Sequence, residues 1–505
     1  MKQLPLIIVL GLSLIIQAQT PTDALRYSLD DIQGTARFRA MSGAFGALGG
    51  DLTAASINPA GSVVFTTNAV SFSTGYFENN QDADYFGQTN SSRYNSFDIN
   101  QFAGVFVFNN PDISSNWTKF SFGMMYDRTA DFDNEWISNG VNPNSSLGTF
   151  FFENARGKRF DEISAFPDET ISEAYAAIGN LYGYEHQQAF LGYESFILDP
   201  VEPIDSNTDY ILNVDGDEYA QRYLYSSRGY NGKLAFNFGA QYRDFLQLGV
   251  NLNTHFLSYD ELTRTDERVI GSRSLVNDID FQETLYTTGG GFSFQLGAIA
   301  RVTPSLRLGF NYNSPTWYYL NDNTTQFIST VRTENGGNQT QIVDPLIVNF
   351  YPSYKLQTPW SIGASAAYVF GGRALLSFDY GYKDYASMRY SPRSDVFFSE
   401  QNQIIANTFK GASTFRAGAE YRIQQVSLRG GYRFEESPYQ DTSFFGDLEG
   451  YSFGLGYNFG LLRLDASFSQ SERDYQYRLF DVGLTDTVQL NQRFTDVILT
   501  MTFAF

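Results

Sequence analysis

The 505-residue sequence contains no cysteine and only two histidines, His186 and His255. Without cysteine there is no disulfide framework, no thiolate metal site and no cysteine nucleophile. Two histidines alone are a poor basis for a zinc site, and neither a metal nor a cofactor is predicted. A Ser-His-Asp hydrolase would have to use one of them, and only His255 lies on a strand face where it would meet a serine. A solvated lumen imidazole explains His255 more simply, so no enzyme is predicted.

Basic charge and long apolar runs are also scarce. Lys and Arg number 34 against 55 Asp and Glu, for a net charge of −21. Nucleic acid is therefore not an expected partner, because it selects basic surfaces. The run Leu4–Ile16, preceded by Lys2 and followed by Ala18, predicts a secretory signal peptide over residues 1–18. No later run approaches the roughly 20 apolar residues of a membrane-spanning helix.

Aromatic residues, in contrast, are abundant. The chain has 46 Phe and 34 Tyr, yet its mean hydropathy is slightly polar at −0.28. Aromatic girdles around a polar lumen produce this combination in membrane β-barrels, and a large soluble β-protein is the alternative. Strict alternation favours the barrel: Leu248, Val250 and Leu252 share one face while Gln247 and Asn251 share the other. We expect the apolar face to point towards lipid.

Such alternation predicts an all-β fold, an antiparallel transmembrane β-barrel of about fourteen strands over residues 68–505. An even strand number and alternating short and long connections are typical of bacterial outer-membrane barrels, with both termini periplasmic. The terminal aromatic Phe505 is similar to the signal by which such barrels are recognised for insertion. The predicted strands are 68–77, 96–108, 117–129, 229–242, 245–259, 286–302, 305–319, 357–370, 374–388, 408–423, 426–435, 449–459, 462–475 and 491–505.

The segment Gly34–Gly61 is rich in Gly and Ala, carries little charge and lacks both strand alternation and a polar helix face. Such a segment is not expected to be stable alone in water and needs to pack inside another part of the protein. We therefore interpret residues 19–67 as a plug, or hatch, inside the barrel lumen.

The predicted connection over 130–228 is far longer than ordinary loops. Residues 131–220 contain eighteen Asp and Glu against three Lys and Arg, so this loop carries most of the net charge. Within it, Ile171, Tyr175, Ile178 and Tyr182 recur at helical spacing before Gly183. This apolar stripe either packs on the barrel mouth or lines an access groove that captures an apolar ligand.

Four arginines recur on lumen-facing positions of two neighbouring predicted strands, together with two glutamates. Ion-pair ladders across strands are the expected arrangement, and a carboxylate-binding surface is the alternative. The residues are Arg416, Arg422, Arg429 and Arg433 with Glu420 and Glu435.

The stretch Gly43-Ala-Phe-Gly-Ala-Leu-Gly-Gly-Asp51, followed by Asn58-Pro59-Ala60, resembles the amino-terminal hatch of the FadL/TodX family of outer-membrane transporters, in its Bacteroidetes-type version. The resemblance implies a fourteen-stranded barrel, plugged by this hatch and located in the Gram-negative outer membrane. It also implies passive inward transport of long-chain fatty acids or other hydrophobic small molecules. Family members in such bacteria also serve as partners of a protein secretion machine, which is the alternative function.

The resemblance assigns hatch and gating roles to Asn58, Pro59 and Ala60. Transport further predicts an apolar cavity between plug and wall, lined partly by Ala44, Phe45 and Leu48. Release sideways through a kinked third strand, with Gly123 as the candidate kink, is also implied. The expected partners are a hydrophobic small molecule and outer-membrane lipid, and the expected state is a monomer.

Overall fold

The computed structural model describes residues 19–271, 274–334 and 336–505, so the predicted signal peptide lies outside the described residues. Among the described residues, no helix is long and apolar enough to cross a membrane. The α-helices are α1 (Pro21–Arg26), α2 (Ala36–Arg39), α3 (Ala54–Ile57), α4 (Leu147–Ala155), α5 (Ile171–Tyr182), α6 (Tyr184–Glu194) and α7 (Val396–Thr408). Short 3-10 helices span Pro59–Val64, Phe160–Glu162 and Tyr385–Ser387.

The first strands are β1 (Ala69–Tyr85), β2 (Gln88–Asn109), β3 (Trp117–Asp131), β4 (Asn134–Asn142), β5 (Leu198–Pro200), β6 (Tyr210–Leu212), β7 (Glu218–Tyr242), β8 (Leu246–Ile270), β9 (Val276–Arg301), β10 (Leu306–Asn313) and β11 (Trp317–Glu334). The others are β12 (Gly337–Val343), β13 (Asn349–Phe350), β14 (Tyr354–Gln357), β15 (Ser361–Phe370), β16 (Ala374–Asp384), β17 (Arg389–Ser391), β18 (Gly411–Ile423), β19 (Val426–Glu435), β20 (Leu448–Asn458), β21 (Leu462–Arg478) and β22 (Thr487–Ala504).

These strands form a closed antiparallel barrel with fourteen wall positions, which confirms the predicted fold class. Three positions are each built from two consecutive strands. The wall closes where β22 pairs with β1, from Ala504 opposite Ala69 to Gln489 opposite Asp84. In order, the positions are held by β1, β2, β3, β7, β8, β9, β10 with β11, β14 with β15, β16 with β17, β18, β19, β20, β21 and β22.

The alternation has the predicted orientation. On β8, Leu248, Val250 and Leu252 are exposed on the outer surface, whereas Gln247 and Asn251 are buried in the lumen. An apolar outer band and a polar interior are the pattern of a barrel that faces lipid. One end of the wall carries short connections such as Gln424-Gln425, and we call it the short-turn end; the other is the long-loop end.

Several strands extend well beyond their predicted limits at the long-loop end. β1 and β2 continue to a two-residue turn at Phe86-Gly87, where a long loop was expected. β8 and β9 likewise stay paired up to Arg268 opposite Asp278. Both faces of these hairpin extensions carry polar residues, so the alternation disappears while the backbone pairing continues.

A folded cap covers the long-loop end. It consists of β4, which pairs with β7, and of the segment 143–217 with α4, α5, α6 and a small β5–β6 sheet. The cap and the upper wall share one large hydrophobic core that includes Phe151, Tyr175 and Phe190. The long acidic connection is therefore an ordered layer over the barrel mouth.

Trp136 anchors the cap and provides a test of this packing. Its ring is 1% exposed, stacks on Tyr223 and Tyr225 at centroid distances of 5.4 and 5.5 Å, and meets Tyr477 edge-on at 5.2 Å. We expect Trp136→Ala to destabilise the cap by roughly 3–5 kcal/mol, the usual cost of removing a buried Trp.

Limited proteolysis should then cut the cap faster, while the heat-modifiable barrel band on gels is retained. Ile113→Ala, at a fully exposed turn position, is the matched control. Equal protease resistance of the Trp136→Ala and control proteins would contradict the packing described.

Candidate functional site: the cavity between plug and wall

The N-terminal segment occupies the lumen. Gln19 lies towards the long-loop end, where its side-chain amide donates to Asp322 of β11 at 2.8 Å. The chain then passes through α1, whose first turn is held by a capping box between Thr20 and Asp23. From Gly34 it follows the inner wall near the short-turn end and leaves the lumen at β1.

Asn58 fastens this plug to the wall. Its fully buried side-chain amide donates to the carbonyl oxygens of Gly46 at 2.7 Å, Ala298 at 3.1 Å and Phe310 at 3.3 Å. Its oxygen accepts from the Ala60 backbone at 3.2 Å and so begins the following 3-10 helix, in which Pro59 occupies the first position. One side chain thus joins two parts of the plug to two adjacent strands.

The wall opposite Asn58 is made of glycine. Gly249, Gly297 and Gly309 lie on β8, β9 and β10, and a Cβ atom on any of them would overlap plug atoms of Pro59, Asn58 or Gly46. Only glycine permits two backbones to approach this closely. These three positions therefore form a socket for the plug.

A buried ion-pair network fastens the other side of the plug. Arg37 of α2 contacts Glu420 at 2.9 Å, and Arg429 contacts both Glu420 and Asp465 at 2.7 Å. Arg422 also contacts Glu420, at 2.6 Å. Arg416 and Arg433 lie 3.8 and 3.6 Å from Glu435. The arginines thus form the expected ladder, extended into the plug by Arg37.

A cavity of about 250 Å³ lies between the plug and the wall, above the Asn58 region. Its lining is mixed, whereas an apolar cavity was predicted. Polar and charged side chains enter it from the strands because the lumen face of each strand is the polar one. Apolar groups on the lining come from Tyr27, Ile32, Phe38, Ile57, Tyr318 and Ile362.

Lys233 is the unusual cation of this cavity. Three other cations on the lining have carboxylate partners: Lys383 with Asp30, Arg128 with Asp98 and Asp131, and Arg416 with Glu435. Within the described chain, Lys233 forms neither a hydrogen bond nor an ion pair, although its residue is only 8% exposed.

Lys233 lies directly across the strand pair from Asp127. The Asp127 carboxylate accepts instead from the hydroxyl of Ser56 in the plug. The Lys233 ammonium lies on the cavity wall, within electrostatic range of the Asp127 and Asp30 carboxylates but without a direct ion pair to either.

His255 is beside the same cavity and faces the lumen as predicted. Its Nε2 lies 2.8 Å from the Ser293 hydroxyl, which also accepts from the Asn253 amide at 3.0 Å. The other ring nitrogen, Nδ1, has no hydrogen-bond partner among the described residues. A catalytic triad needs an acidic group at that nitrogen to orient the ring, so this His-Ser pair lacks the third member.

Ala44, Phe45 and Leu48 are all buried, but the cavity lining comes from other parts of the plug. Phe45 and Leu48 pack with Phe38 against Ala367 and Leu375 of the wall. They therefore seal the plug against the barrel below the cavity.

The predicted helix of the long loop is α5, which ends at Gly183 as expected. Tyr175 and Ile178 are buried in the shared core, Ile171 packs against it, and Tyr182 remains partly exposed beside His186. Burial raises the pKa of the Tyr175 hydroxyl, which donates to Gln326 at 2.6 Å. The stripe thus packs on the barrel mouth, the first of the two alternatives.

β3 is regularly paired on both sides at Gly123, opposite Val105 and Asn237, so the expected kink is not seen there. The pairing of β3 with β7 is irregular at Trp117–Lys119 and at Arg128–Ala130, and the second irregularity lies just beyond Asp127, where the pairing of β3 with β2 ends. Across that gap the Arg128 guanidinium contacts Asp98 of β2. Sequence alone gave no signal for this position, because residues 128–130 contain neither Gly nor Pro.

Comparison with known proteins gives this architecture a context. The architecture is that of a fourteen-stranded membrane barrel with a plug in its lumen and a cavity of mixed lining between plug and wall. A family model described as "Outer membrane protein transport protein (OMPP1/FadL/TodX)" matches residues 230–497. The chain belongs to this family, whose members are outer-membrane transport proteins, and its place is the outer membrane of a Gram-negative cell. A search of curated proteins found no match.

A solved structure with a TM-score above 0.5 shares this fold. A FadL homologue from Pseudomonas aeruginosa is 12% identical, covers 95% of this chain and 100% of its own, and superposes with a TM-score of 0.56. The toluene transporter TodX from Pseudomonas putida is 12% identical over 94% of this chain and 99% of its own, with a TM-score of 0.49. The toluene transporter TbuX from Ralstonia pickettii is 15% identical over 94% and 98%, with a TM-score of 0.46.

The Asn58 hydrogen bonds predict that removing this side chain loosens the plug. Asn58→Ala removes the side-chain amide that donates to the wall carbonyls of Ala298 and Phe310, and leaving buried acceptors unpaired costs roughly 1–3 kcal/mol. We expect a looser plug and more frequent ion-conducting openings in planar bilayers, with the barrel still folded. Asn144→Ala, at an exposed cap position, is the control. Identical conductance of the two variants would show that Asn58 does not hold the plug.

Proposed function

We propose that this protein carries hydrophobic compounds bearing an anionic head, long-chain fatty acids above all, inward across the outer membrane without energy coupling. Membership of a transport family supports the general activity. The Lys233 ammonium on the cavity wall supports the anionic head, because among the described residues no carboxylate lies within ion-pair distance of it. We further propose that a single chain is the working unit and that both ends of the wall, β1 and β22, start and end on the periplasmic side.

The carboxylate of such a ligand would accept from Lys233, with Asn231 and Tyr318 on the same lining. Asn231 and Tyr318 already hydrogen-bond each other at 2.8 Å, which holds both side chains in place. A charge-assisted hydrogen bond inside a barrel, away from bulk water, is stronger than one at the surface.

The acyl chain has apolar surface on two sides of the head. Ile32, Phe38 and Ile57 lie on the plug side, and Tyr27 with the ring cluster of Phe132 and Tyr259 lies on the side of the cap. Each buried methylene contributes about 0.8 kcal/mol. A cavity of about 250 Å³ holds the head and the first part of a long chain, so the remaining methylenes must follow a path along the plug.

Capture from outside would begin on apolar side chains left exposed by the cap. Leu181 and Tyr182 at the end of α5 are exposed, as are Leu346 and Phe350 in the loop between β12 and β14. Ser172 of α5 donates to the Pro345 carbonyl at 2.6 Å and ties this loop to the helix. Of the predicted capture residues only Tyr182 offers substantial exposed surface here, because Tyr175 and Ile178 are buried.

Gating by the hatch is the second part of the proposal. Ser56, on α3 just before Asn58, contacts Asp127 on the cavity wall, so a ligand that pairs with Lys233 changes the electrostatic surroundings of a plug contact. A shift of the Asn58-Pro59-Ala60 turn out of its glycine socket would then widen the lumen.

Lys233→Met tests the anionic head directly, because Met keeps most of the apolar stem and removes the charge. Loss of a hydrogen bond to a charged group costs roughly 1.5–3 kcal/mol, which corresponds to a roughly ten- to hundredfold weaker Kd for a long-chain fatty acid. The Kd for its methyl ester should hardly change. Both constants can be measured by fluorescence displacement on purified protein.

Lys355→Met is the matched control, since Lys355 lies on β14 over the Tyr319 ring at 4.8 Å, outside the cavity lining. Lys233→Arg should retain most of the affinity. If Lys233→Met binds the fatty acid as tightly as the control does, the assignment of the head site is wrong.

A further inference from the structure

A buried carboxylate on the inner wall lacks a cationic partner. Asp322 of β11 is 1% exposed, and within the described chain it forms no ion pair with a lysine, an arginine or a histidine. The charged group that acts on it most is the Asp23 carboxylate, which has the same sign and is already paired with Arg26. An isolated charge in a protein interior is costly, so a buried carboxylate normally has a cation beside it.

Neutral donors fill most of the acceptor positions of Asp322. Its Oδ1 accepts from the hydroxyls of Thr287 at 2.7 Å and Tyr354 at 3.3 Å. Its Oδ2 accepts from the side-chain amide of Gln19 at 2.8 Å. A carboxylate offers about four acceptor positions, shared equally by its two oxygens. The open position is therefore on Oδ2, beside Gln19.

Gln19 is also the residue that the predicted removal of residues 1–18 makes the first of the mature chain. Hydrolysis of the Ala18–Gln19 bond consumes a water molecule and gives a carboxylate on the released peptide and an α-ammonium on Gln19. The new ammonium belongs to the residue whose amide already contacts Oδ2, so it lies within a side-chain length of the open position. The following residue is fixed, because the Tyr390 hydroxyl donates to the Thr20 carbonyl at 2.7 Å and Thr20 caps α1.

From this arrangement we infer that the wall contains a binding site for the amino terminus of the mature chain, in which the α-ammonium of Gln19 pairs with Asp322. Proteins capture amino termini by charge-assisted contacts of this kind. The pair supplies the missing cation and fixes the start of the plug to β11, whereas Asn58 fixes its end. The final position of α1 then depends on signal-peptide cleavage. The inference rests on that predicted cleavage and is independent of the compound that the protein carries.

An amino-terminal glutamine has a competing fate. Its α-amine can attack its own side-chain amide, which closes a lactam ring and expels ammonia. The product, pyroglutamate, has neither the ammonium nor the amide that Gln19 donates to Asp322. We therefore expect a mature chain that starts with uncyclised Gln19. Intact-mass measurement and peptide mapping of protein purified from outer membranes check this, and a pyroglutamyl terminus or a different first residue would overturn the inference.

Asp322→Asn gives opposite results for a paired and a lone carboxylate. A neutral amide relieves a lone buried charge and stabilises the protein, but it leaves a paired ammonium buried without its counter-ion. We expect the α-amine of this variant to react with an acylating reagent roughly ten- to hundredfold faster than in the folded wild-type barrel, because a hydrogen bond to a charged group contributes that factor. Mass spectrometry of the amino-terminal peptide measures the rate.

Asp244→Asn, the same substitution at an exposed turn position, is the matched control. Gln19→Ala should keep the slow reaction, since it removes the side-chain amide and retains the α-amine. Equal acylation rates in Asp322→Asn and Asp244→Asn would overturn the inference, and so would a higher Tm of Asp322→Asn than of the wild type.

If Asp322→Asn does not insert into the membrane, a change in the precursor replaces it. A Gly-Ser pair placed between Ala18 and Gln19 moves the ammonium away from Asp322 and leaves every wall residue in place. We expect faster acylation and a lower Tm for this protein. Acylation as slow as in the wild type, with the same Tm, would show that the amino terminus is not bound at Asp322.

Discussion

The architecture depends on how closely the plug approaches the wall. A segment rich in small residues has little side-chain surface with which to bind a barrel, so its backbone has to do so. The wall has glycine at positions 249, 297 and 309, which leaves room for the plug backbone. Asn58 can therefore donate hydrogen bonds to carbonyl groups on two strands. This contact fixes the floor of the cavity. Lys233 and the cavity lie above that floor, so their positions depend on it.

Alternation alone predicted the wall well. An apolar outer face is required by lipid and a polar inner face by the lumen, so strands inside the membrane band carry an unmistakable period of two. Above the band both faces are wet, and the hairpin extensions of β1–β2 and β8–β9 keep their pairing without leaving a pattern. The strands were therefore predicted too short at the long-loop end, although all fourteen wall positions were found.

A local sequence pattern identifies the apolar or polar face of a helix or strand, but not the part of the protein that this face contacts. The stripe of α5 was recognised from its spacing, yet only the fold shows that Tyr175 and Ile178 face the shared core. Lys233 was missed for a similar reason, because its sequence position shows only that it faces the lumen. The strand register places Asp127 opposite it, and the hydroxyl of Ser56 in the plug donates to that carboxylate. The glycines of the socket did carry a signal, because Gly249 and Gly309 fall on the lumen-facing positions of their strands, where they leave room for another backbone.

We propose that the cavity between plug and wall holds an amphipathic anion by its head. Mass spectrometry of lipids extracted from detergent-purified protein tests it most directly, with the Lys233→Met protein purified in parallel from the same membranes. We expect free long-chain fatty acids, or another lipophilic anion, to be enriched in the wild-type protein and depleted in the variant. An equal lipid content in both proteins, or a wild-type barrel without any bound lipophilic anion, would contradict it.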